Sequence, residues 1–143
     1  MMMDDNDLKA IDYEMTFLVR RATSAAIDKK LGNLERSHYL LLSKLAEHGA
    51  MGVKALADAC HLDISTASRQ AAALEAKGYA ERLPDPEDGR ASFFQLTELG
   101  NQELLNSKQI RLNHFAKLLK DWSTEDRQKF AELLGRLNRT FVE

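Results

Sequence analysis

Residues 62–78 read LDISTASRQAAALEAKG, and residues 84–90 read PDPEDGR. The first stretch predicts a helix over 65–77, because apolar residues recur in it at positions i, i+4 and i+7. These residues are Ala67, Ala71 and Leu74. The second stretch holds both prolines of the chain and is typical of a loop.

The elements on either side of this helix define its setting. A short helix is predicted over 53–60. After the long helix the pattern changes to two strands, at 79–83 and 93–96, and Asp88-Gly89 between them is typical of a hairpin tip. A helix, a turn, a second helix and a hairpin within 35–97 form a winged helix-turn-helix.

Helices with apolar stripes flank this module. Their spacing predicts one helix over 8–31 and two more over 98–121 and 124–142. The expected fold class is mainly α with a small β-hairpin wing, in a single domain over 1–143. The flanking helices carry more apolar surface than so small a module can cover, so 8–31 and 98–143 are predicted to be dimerisation helices.

The composition excludes several classes of protein. The chain has 20 Lys+Arg and 22 Asp+Glu, a net charge of −2, so it cannot bind nucleic acid through bulk charge. The single Cys excludes a disulfide framework. The absence of a long apolar segment and of a signal peptide predicts a cytoplasmic protein with no membrane partner. No phosphate loop, catalytic triad or metal cluster is recognisable, so no enzyme, cofactor or metal site is expected.

The outward face of helix 65–77 carries the strongest functional signal. A major-groove reader needs short polar groups and an Arg near the start of a helix. The candidates are Ser65, Thr66, Ser68 and Arg69. An ordinary helix, capped by Asp63 or Ser65 and with a solvated Arg69, would have the same pattern.

The hairpin supplies a second candidate. Narrow A·T-rich minor grooves attract an inserted Arg, and Arg90 is the only cation between Leu83 and Leu96. Asp88 lies two residues away and could hold the guanidinium in place. The rest of the loop is acidic and would repel phosphates, so we favour an Arg90 that is held in place over a general electrostatic attraction of the loop to DNA. The alternative is an ordinary solvated turn with no contact to DNA.

Together these motifs resemble the MarR family of bacterial transcription regulators. The matching segments are LAD at 56–58, LDISTASR at 62–69, LEAKGY at 74–79, DPEDGR at 85–90 and LTELG at 96–100. The resemblance covers essentially the whole chain and implies a homodimer with interlocking terminal helices, bound to a pseudo-palindromic operator in double-stranded DNA. It places helix 65–77 in the major groove and Arg90 in the minor groove. It implies a repressor, although activators share the scaffold.

The sequence departs from the family pattern in the DNA-reading part. Ala72 and Ala73 stand where polar or basic residues are frequent, Gln70 where an apolar residue is usual, and Gly89 where a second Arg is frequent. Residues 52–97 carry five cations and seven acids. We therefore expect few phosphate contacts, and a winged-helix protein–protein interaction module without DNA binding stays open as the alternative.

A small-molecule pocket is also predicted. An anionic aromatic ligand would suit a site that combines an aromatic ring, imidazoles and a guanidinium. The candidates are Arg20, His38, Tyr39 and His114. The alternative is a partly buried Tyr39 and a surface Arg20 with no ligand. Cys60 falls on the inward side of helix 53–60, so we expect it to pack as a small hydrophobe rather than sense oxidants.

Overall fold

A computed structural model describes residues 4–32, 34–87, 89 and 92–141. Over these residues it contains seven helices and three strands. In chain order they are α1 (Asn6–Ala22), α2 (Ala25–Lys30), α3 (Arg36–His48), β1 (Met51–Gly52), α4 (Val53–Cys60), α5 (Ile64–Ala76), β2 (Ala80–Pro84), β3 (Ser92–Leu96), α6 (Glu98–Leu118) and α7 (Thr124–Thr140). The predicted fold class, mainly α with a β-hairpin wing, is confirmed. The chain divides into two compact units, Met1–Arg111 and Leu112–Glu143.

The core of the first unit lies where α3, α4, α5 and the sheet meet. Its largest fully buried side chains are Phe94, Leu41, Leu42, Leu56, Leu74 and Leu104. Ala67, Ala71 and Leu74 are at most 1% exposed, so the predicted inward stripe of α5 is confirmed. Cys60 packs against this core, and burial raises the pKa of its thiol, so it is a structural side chain as predicted.

The sheet has three antiparallel strands in the order β1-β3-β2. In the hairpin, Ala80 pairs with Leu96 and Pro84 with Ser92. On the other side of β3, Met51 pairs with Phe94. The sequence did not predict β1, because two residues are too few to show an alternating pattern.

The start of α6 is tied to the end of α5 by Thr97. Its Oγ1 accepts a hydrogen bond from the Gly100 amide at 2.9 Å, which caps the helix, and donates to the Gly78 carbonyl at 2.6 Å. A Cβ atom built on Gly100 would lie 1.9 Å from the Tyr79 carbonyl oxygen. The Leu-Thr-Glu-Leu-Gly motif therefore allows a close approach between α6 and the backbone before β2.

The single helix predicted over 8–31 is wrong, because the structure breaks it after Ala22. Thr23 Oγ1 donates to the Val19 carbonyl at 2.6 Å, and Ser24 Oγ accepts from the Ile27 amide at 3.3 Å. Hydroxyl side chains of this kind compete with the helical backbone and favour helix ends. No residue of α1 is buried.

The second unit consists of the end of α6 and α7. Ser123 caps α7 by accepting a hydrogen bond from the Asp126 amide at 3.0 Å. Trp122 and Phe130 pack at 5.3 Å between ring centres. Across the described residues, no helix combines the length and the apolar character that crossing a membrane requires.

Candidate nucleic-acid interface

The N-terminus of α5 is organised by Asp63. The Asp63 carboxylate accepts hydrogen bonds from the Thr66 amide at 2.7 Å, from Ser65 Oγ at 2.7 Å and from Thr66 Oγ1 at 3.0 Å. The bond from the Thr66 amide, followed by those from the two hydroxyls, lowers the pKa of Asp63 to about 2. Asp63 is thus the cap of α5, one of the two alternatives predicted, and it is ionised at neutral pH.

The predicted reading residues share one side of this helix start. Ser65, Ser68 and Arg69 are exposed, and Thr66 is half-buried. Arg69 donates from an Nη atom to Thr66 Oγ1 at 3.4 Å, so its guanidinium lies along the polar face that Asp63 orders. Ala72 continues the exposed face one turn further on without adding bulk. The arrangement presents hydroxyls and one guanidinium on a helix that can approach DNA closely.

The turn that leads into α5 is short and fixed by His61. This residue adopts a left-handed conformation with φ 55°, and the amide of Leu62 donates to the Ala57 carbonyl at 2.9 Å. Leu62 packs against the core. The turn between α4 and α5 therefore sets the direction in which α5 leaves the core. Nothing in the sequence indicated that His61 adopts the left-handed conformation that makes this turn.

The hairpin is attached to α5 through Arg82. The Arg82 guanidinium hydrogen-bonds to Glu75 through Nε at 3.3 Å, and it donates to Ser92 Oγ at 3.4 Å. Across the strands, the Gln95 amide donates to the Glu81 carboxylate. In the sequence, Arg82 is only one of the five cations of residues 52–97. The structure shows that its charge is paired with Glu75.

Asp88 and Arg90, the predicted wing residues, lie outside the described residues. Before them, the amide of Glu87 donates to the Asp85 carboxylate at 2.9 Å. A Cβ on Gly89 would meet no atom of the described residues within 4 Å.

The predicted pocket residues fall in different places. Arg20 is exposed on α1, His38 is buried on α3, and Tyr39 beside it is half-buried. His114 belongs to the second unit, where its ring meets Phe115 edge to face at 5.4 Å between centres.

The structure places a different cation against Tyr39. The Arg111 guanidinium lies 4.0 Å from the centre of the Tyr39 ring. Arg111 also lines a cavity of about 650 Å³ at the segment between α2 and α3. The other lining residues are Lys29, Leu31, Gly32, Leu34, Glu35, Arg36 and Ser37. None of the four predicted residues lines this cavity, and sequence reasoning missed Arg111, which is far from Tyr39 along the chain.

Comparisons with known proteins agree with this geometry. A model of the MarR family matches residues 34–92, from the start of α3 to the beginning of β3. The HTH-type transcriptional regulator YxaD of Bacillus subtilis (strain 168) is 49% identical over 143 residues, a match that covers 99% of this chain and 100% of that relative. That relative is named as a transcriptional regulator and not as an enzyme.

Solved structures show the same fold. A MarR family protein from Bacillus stearothermophilus superposes with a TM-score of 0.79 at 18% identity, covering 96% of this chain and 97% of that one. A mutant MarR from E. coli, solved in complex with operator DNA, has a TM-score of 0.73 at 18% identity and covers 95% of this chain and 99% of that one. With the exposed polar face of α5 and the hairpin beside it, these matches lead to one conclusion: the chain is a DNA-binding transcription regulator that belongs to the MarR family.

Proposed function

We propose that this protein represses transcription by binding, as a homodimer, a pseudo-palindromic operator in double-stranded DNA. Helix α5 enters the major groove and reads it through Ser65, Thr66, Ser68 and Arg69. The observation that carries the proposal is the exposed polar face at the start of α5, where Asp63 orders two hydroxyls and Arg69 bonds to one of them. Such a face supports contacts to base edges rather than general attraction to phosphates.

The charge distribution supports a binding mode with few phosphate contacts. Residues 52–97 have a net charge of −2, and Arg82 is paired with Glu75. Each phosphate that a protein neutralises steepens the salt dependence of its affinity. We therefore expect a shallow salt dependence together with a clear sequence preference.

Exposed apolar side chains support the homodimer. On α1, large apolar residues are about half exposed; they are Leu8, Ile11, Phe17, Leu18 and Val19. In the second unit the same holds for Leu112, Phe115, Leu118, Trp122 and Phe141. Surfaces of this kind mark an interface, and a palindromic operator requires two symmetric copies. A monomer in sedimentation at micromolar concentration would contradict this step, and deletion of 130–143 should cause aggregation.

The wing is proposed to contribute Arg90 to the minor groove, with Asp88 holding its guanidinium. Both residues lie in the part of the chain between β2, which ends at Pro84, and β3, which begins at Ser92, and a narrow minor groove attracts an inserted Arg.

The test of the proposed function is binding to DNA with and without Arg69. Fluorescence anisotropy would compare duplexes from the region upstream of the protein's own gene with random duplexes over a range of salt concentrations. If Arg69 pairs bidentately with guanine, Arg69→Ala should weaken specific binding by about 1–3 kcal/mol and relax one position in each half-site. Arg127→Ala, which removes an exposed Arg from α7 in the second unit, is the matched control.

The alternative interaction module predicts the opposite result. In that case affinity for DNA would be independent of sequence and of Arg69 at every salt concentration. Such an outcome would overturn the proposed operator and leave the polar face of α5 for a protein partner.

A small anionic aromatic effector is the second proposal. Three cations and one acid line the cavity beside the α2–α3 segment, and the Arg111–Tyr39 stack lies next to it. The ligand would bind through these cations, with Arg20, His38 and Tyr39 as its predicted further contacts. Benzoate is a suitable probe: it should raise the melting temperature and change operator affinity, and Arg111→Met should reduce both effects, whereas Arg127→Met should not. No response to millimolar benzoate or to its hydroxylated derivatives would contradict the proposal.

A further inference from the structure

The hydroxyls at the start of α5 have a defined hydrogen-bonding direction. Ser65 Oγ and Thr66 Oγ1 each lie within hydrogen-bond distance of an Asp63 carboxylate oxygen, at 2.7 and 3.0 Å. A hydroxyl has one hydrogen to donate and two lone pairs that accept. A carboxylate that is ionised at neutral pH can only accept, so both hydroxyls must donate to Asp63. Neither hydroxyl then has a hydrogen left for DNA.

We propose that Asp63 is a specificity-determining residue of the DNA-reading helix. By taking the hydroxyl hydrogens of Ser65 and Thr66, it makes α5 present acceptor lone pairs to the major groove. Bases that offer an amino group there, cytosine through N4 and adenine through N6, are selected on the contacted strand. Guanine and thymine present acceptors at the corresponding edge and are rejected. The inference rests on the proposed function, because it requires α5 to lie in the major groove.

Ser65 is the residue through which this selection acts most directly. Ser65 is exposed and keeps both of its lone pairs for DNA. Thr66 is half-buried, and one of its lone pairs already accepts from Arg69 at 3.4 Å. The position read by Ser65 is therefore expected to show the strongest preference for adenine or cytosine.

Ser68 provides a comparison within the same helix. It is exposed on the same face, but no bond to Asp63 fixes its hydroxyl. A free hydroxyl rotates and donates or accepts as the base requires. We therefore expect the position read by Ser68 to tolerate all four bases better than the position read by Ser65.

The variant that separates orientation from folding is Asp63→Asn. Asn is as good a helix cap as Asp, and its carbonyl can still accept from the Thr66 amide. Ser65 Oγ bonds to the same oxygen as the Thr66 amide, Oδ1, whereas Thr66 Oγ1 bonds to Oδ2. The Asn amide nitrogen therefore takes the place of Oδ2, donates to Thr66 Oγ1 and leaves the Thr66 hydroxyl free to donate to DNA, while Ser65 still donates to the Asn carbonyl. Asp58→Asn on α4 removes one exposed carboxylate without touching these hydroxyls and controls for charge.

The experiment is selection from a random-sequence duplex library with the full-length parent, Asp63→Asn, Ser65→Ala, Thr66→Ala and Asp58→Asn, followed by sequencing. Ser65→Ala identifies the position that Ser65 reads, because that position loses its preference. There the parent and Asp58→Asn should enrich adenine or cytosine by about fivefold, the effect of one hydrogen bond. Asp63→Asn should shift the position that Thr66→Ala identifies towards guanine or thymine, and should leave the Ser65 and Ser68 positions unchanged. Circular dichroism would confirm that every variant keeps its helices.

Three results would overturn the inference. The parent could prefer guanine or thymine at the Ser65 position, Ser65→Ala could change no position, or Asp63→Asn could leave every preference intact. In each of these cases the enriched operator still supports the proposed function. If the parent enriches no sequence at all, the proposed function itself fails, and the inference fails with it.

Discussion

The guanidinium of Arg82 lies 4.8 Å from the centre of the Phe94 ring while one of its Nη atoms is 3.3 Å from the Glu75 carboxylate. Glu75 is in the last turns of α5, and Phe94 is at most 1% exposed in β3. One side chain thus connects α5, the hairpin and the hydrophobic core. We expect the orientation of the wing relative to α5 to depend on this connection.

Removing Arg82 should therefore affect both stability and binding. Arg82→Ala loses the stacking on Phe94 and the pairing with Glu75, which should lower the free energy of unfolding by about 1–2 kcal/mol. Glu75→Gln breaks only the ion pair of two partly exposed groups and should cost at most about 1 kcal/mol. Urea unfolding would measure both. Lys54→Ala, at an exposed cation of α4, is the control and should stay within about 0.5 kcal/mol of the parent.

The two changes should have opposite effects on DNA binding at low salt. Glu75→Gln releases the charge of Arg82, so non-specific affinity and its salt dependence should both rise. Arg82→Ala should weaken operator binding because the wing loses its attachment to α5. If both variants bind like the parent, the Arg82 connection has no role in positioning the wing.

The periodicity of the sequence was enough to predict the DNA-reading helix. The structure places α5 at Ile64–Ala76 against the predicted 65–77, with the predicted stripe buried. Periodicity shows which face of an element is apolar, and this was sufficient to predict α5 and the two strands of the hairpin. It could not show the break at Thr23-Ser24, because hydroxyl residues are tolerated within helices as well as at their ends.

Contacts between distant or polar side chains could not be predicted in the same way. Arg82 in β2 contacts Glu75 in α5 and Phe94 in β3, so the three side chains come from three different elements. Arg111 contacts Tyr39, which lies 72 positions earlier in the chain. The Asp63 network is local, and the D-x-S-T spacing at 63–66 is a signal that could have identified it. What the spacing does not reveal is that both hydroxyls bond to the same carboxylate.

Gly100 is predicted to be irreplaceable for packing reasons. An added Cβ would lie 1.9 Å from the Tyr79 carbonyl oxygen, and backbone cannot move aside as a flexible side chain can. Gly100→Ala should therefore lower the free energy of unfolding by about 3 kcal/mol, the upper range for overpacking. Gly89→Ala is the control, since within the described part of the chain its Cβ would meet nothing within 4 Å. Equal stability of the two variants would show that α6 can shift without cost.

His38 is predicted to make stability sensitive to mild acid. The side chain is 5% exposed, and its Nδ1 has no hydrogen-bond partner among the described residues. Burial lowers its pKa below 6.5; attraction from Glu35 opposes this shift in part, and a smaller repulsion from Lys77 adds to it. The unfolded chain therefore takes up a proton at a higher pH than the folded chain. Stability should be complete above about pH 6.5 and decrease as the pH falls below that value.

Thermal unfolding between pH 7.5 and 5 would measure this effect. His38→Leu should be less sensitive to acid than the parent over this range, whatever its stability at pH 7.5. His48→Gln, at an exposed imidazole on the same helix, should behave like the parent. An unchanged pH dependence in His38→Leu would exclude His38 as the source.

The last prediction concerns the wing residues Arg90 and Asp88. Arg90→Ala removes the only cation between Leu83 and Leu96 and leaves Asp85, Glu87 and Asp88 near the DNA. The affinity for the operator should fall by more than the removal of one exposed charge alone would cause, because repulsion from the acids is added to the lost contact.

Asp88→Asn should also weaken binding, although it removes a negative charge near DNA, because Arg90 would lose the group that orients it. Simple electrostatics predicts tighter binding for Asp88→Asn, so this variant distinguishes an oriented Arg90 from a diffuse one. Glu87→Gln removes a neighbouring charge without that orienting role and should bind more tightly than the parent. Melting temperatures should hardly change, since a polar hairpin loop contributes little to stability. Tighter operator binding by Asp88→Asn would show that Asp88 does not hold Arg90.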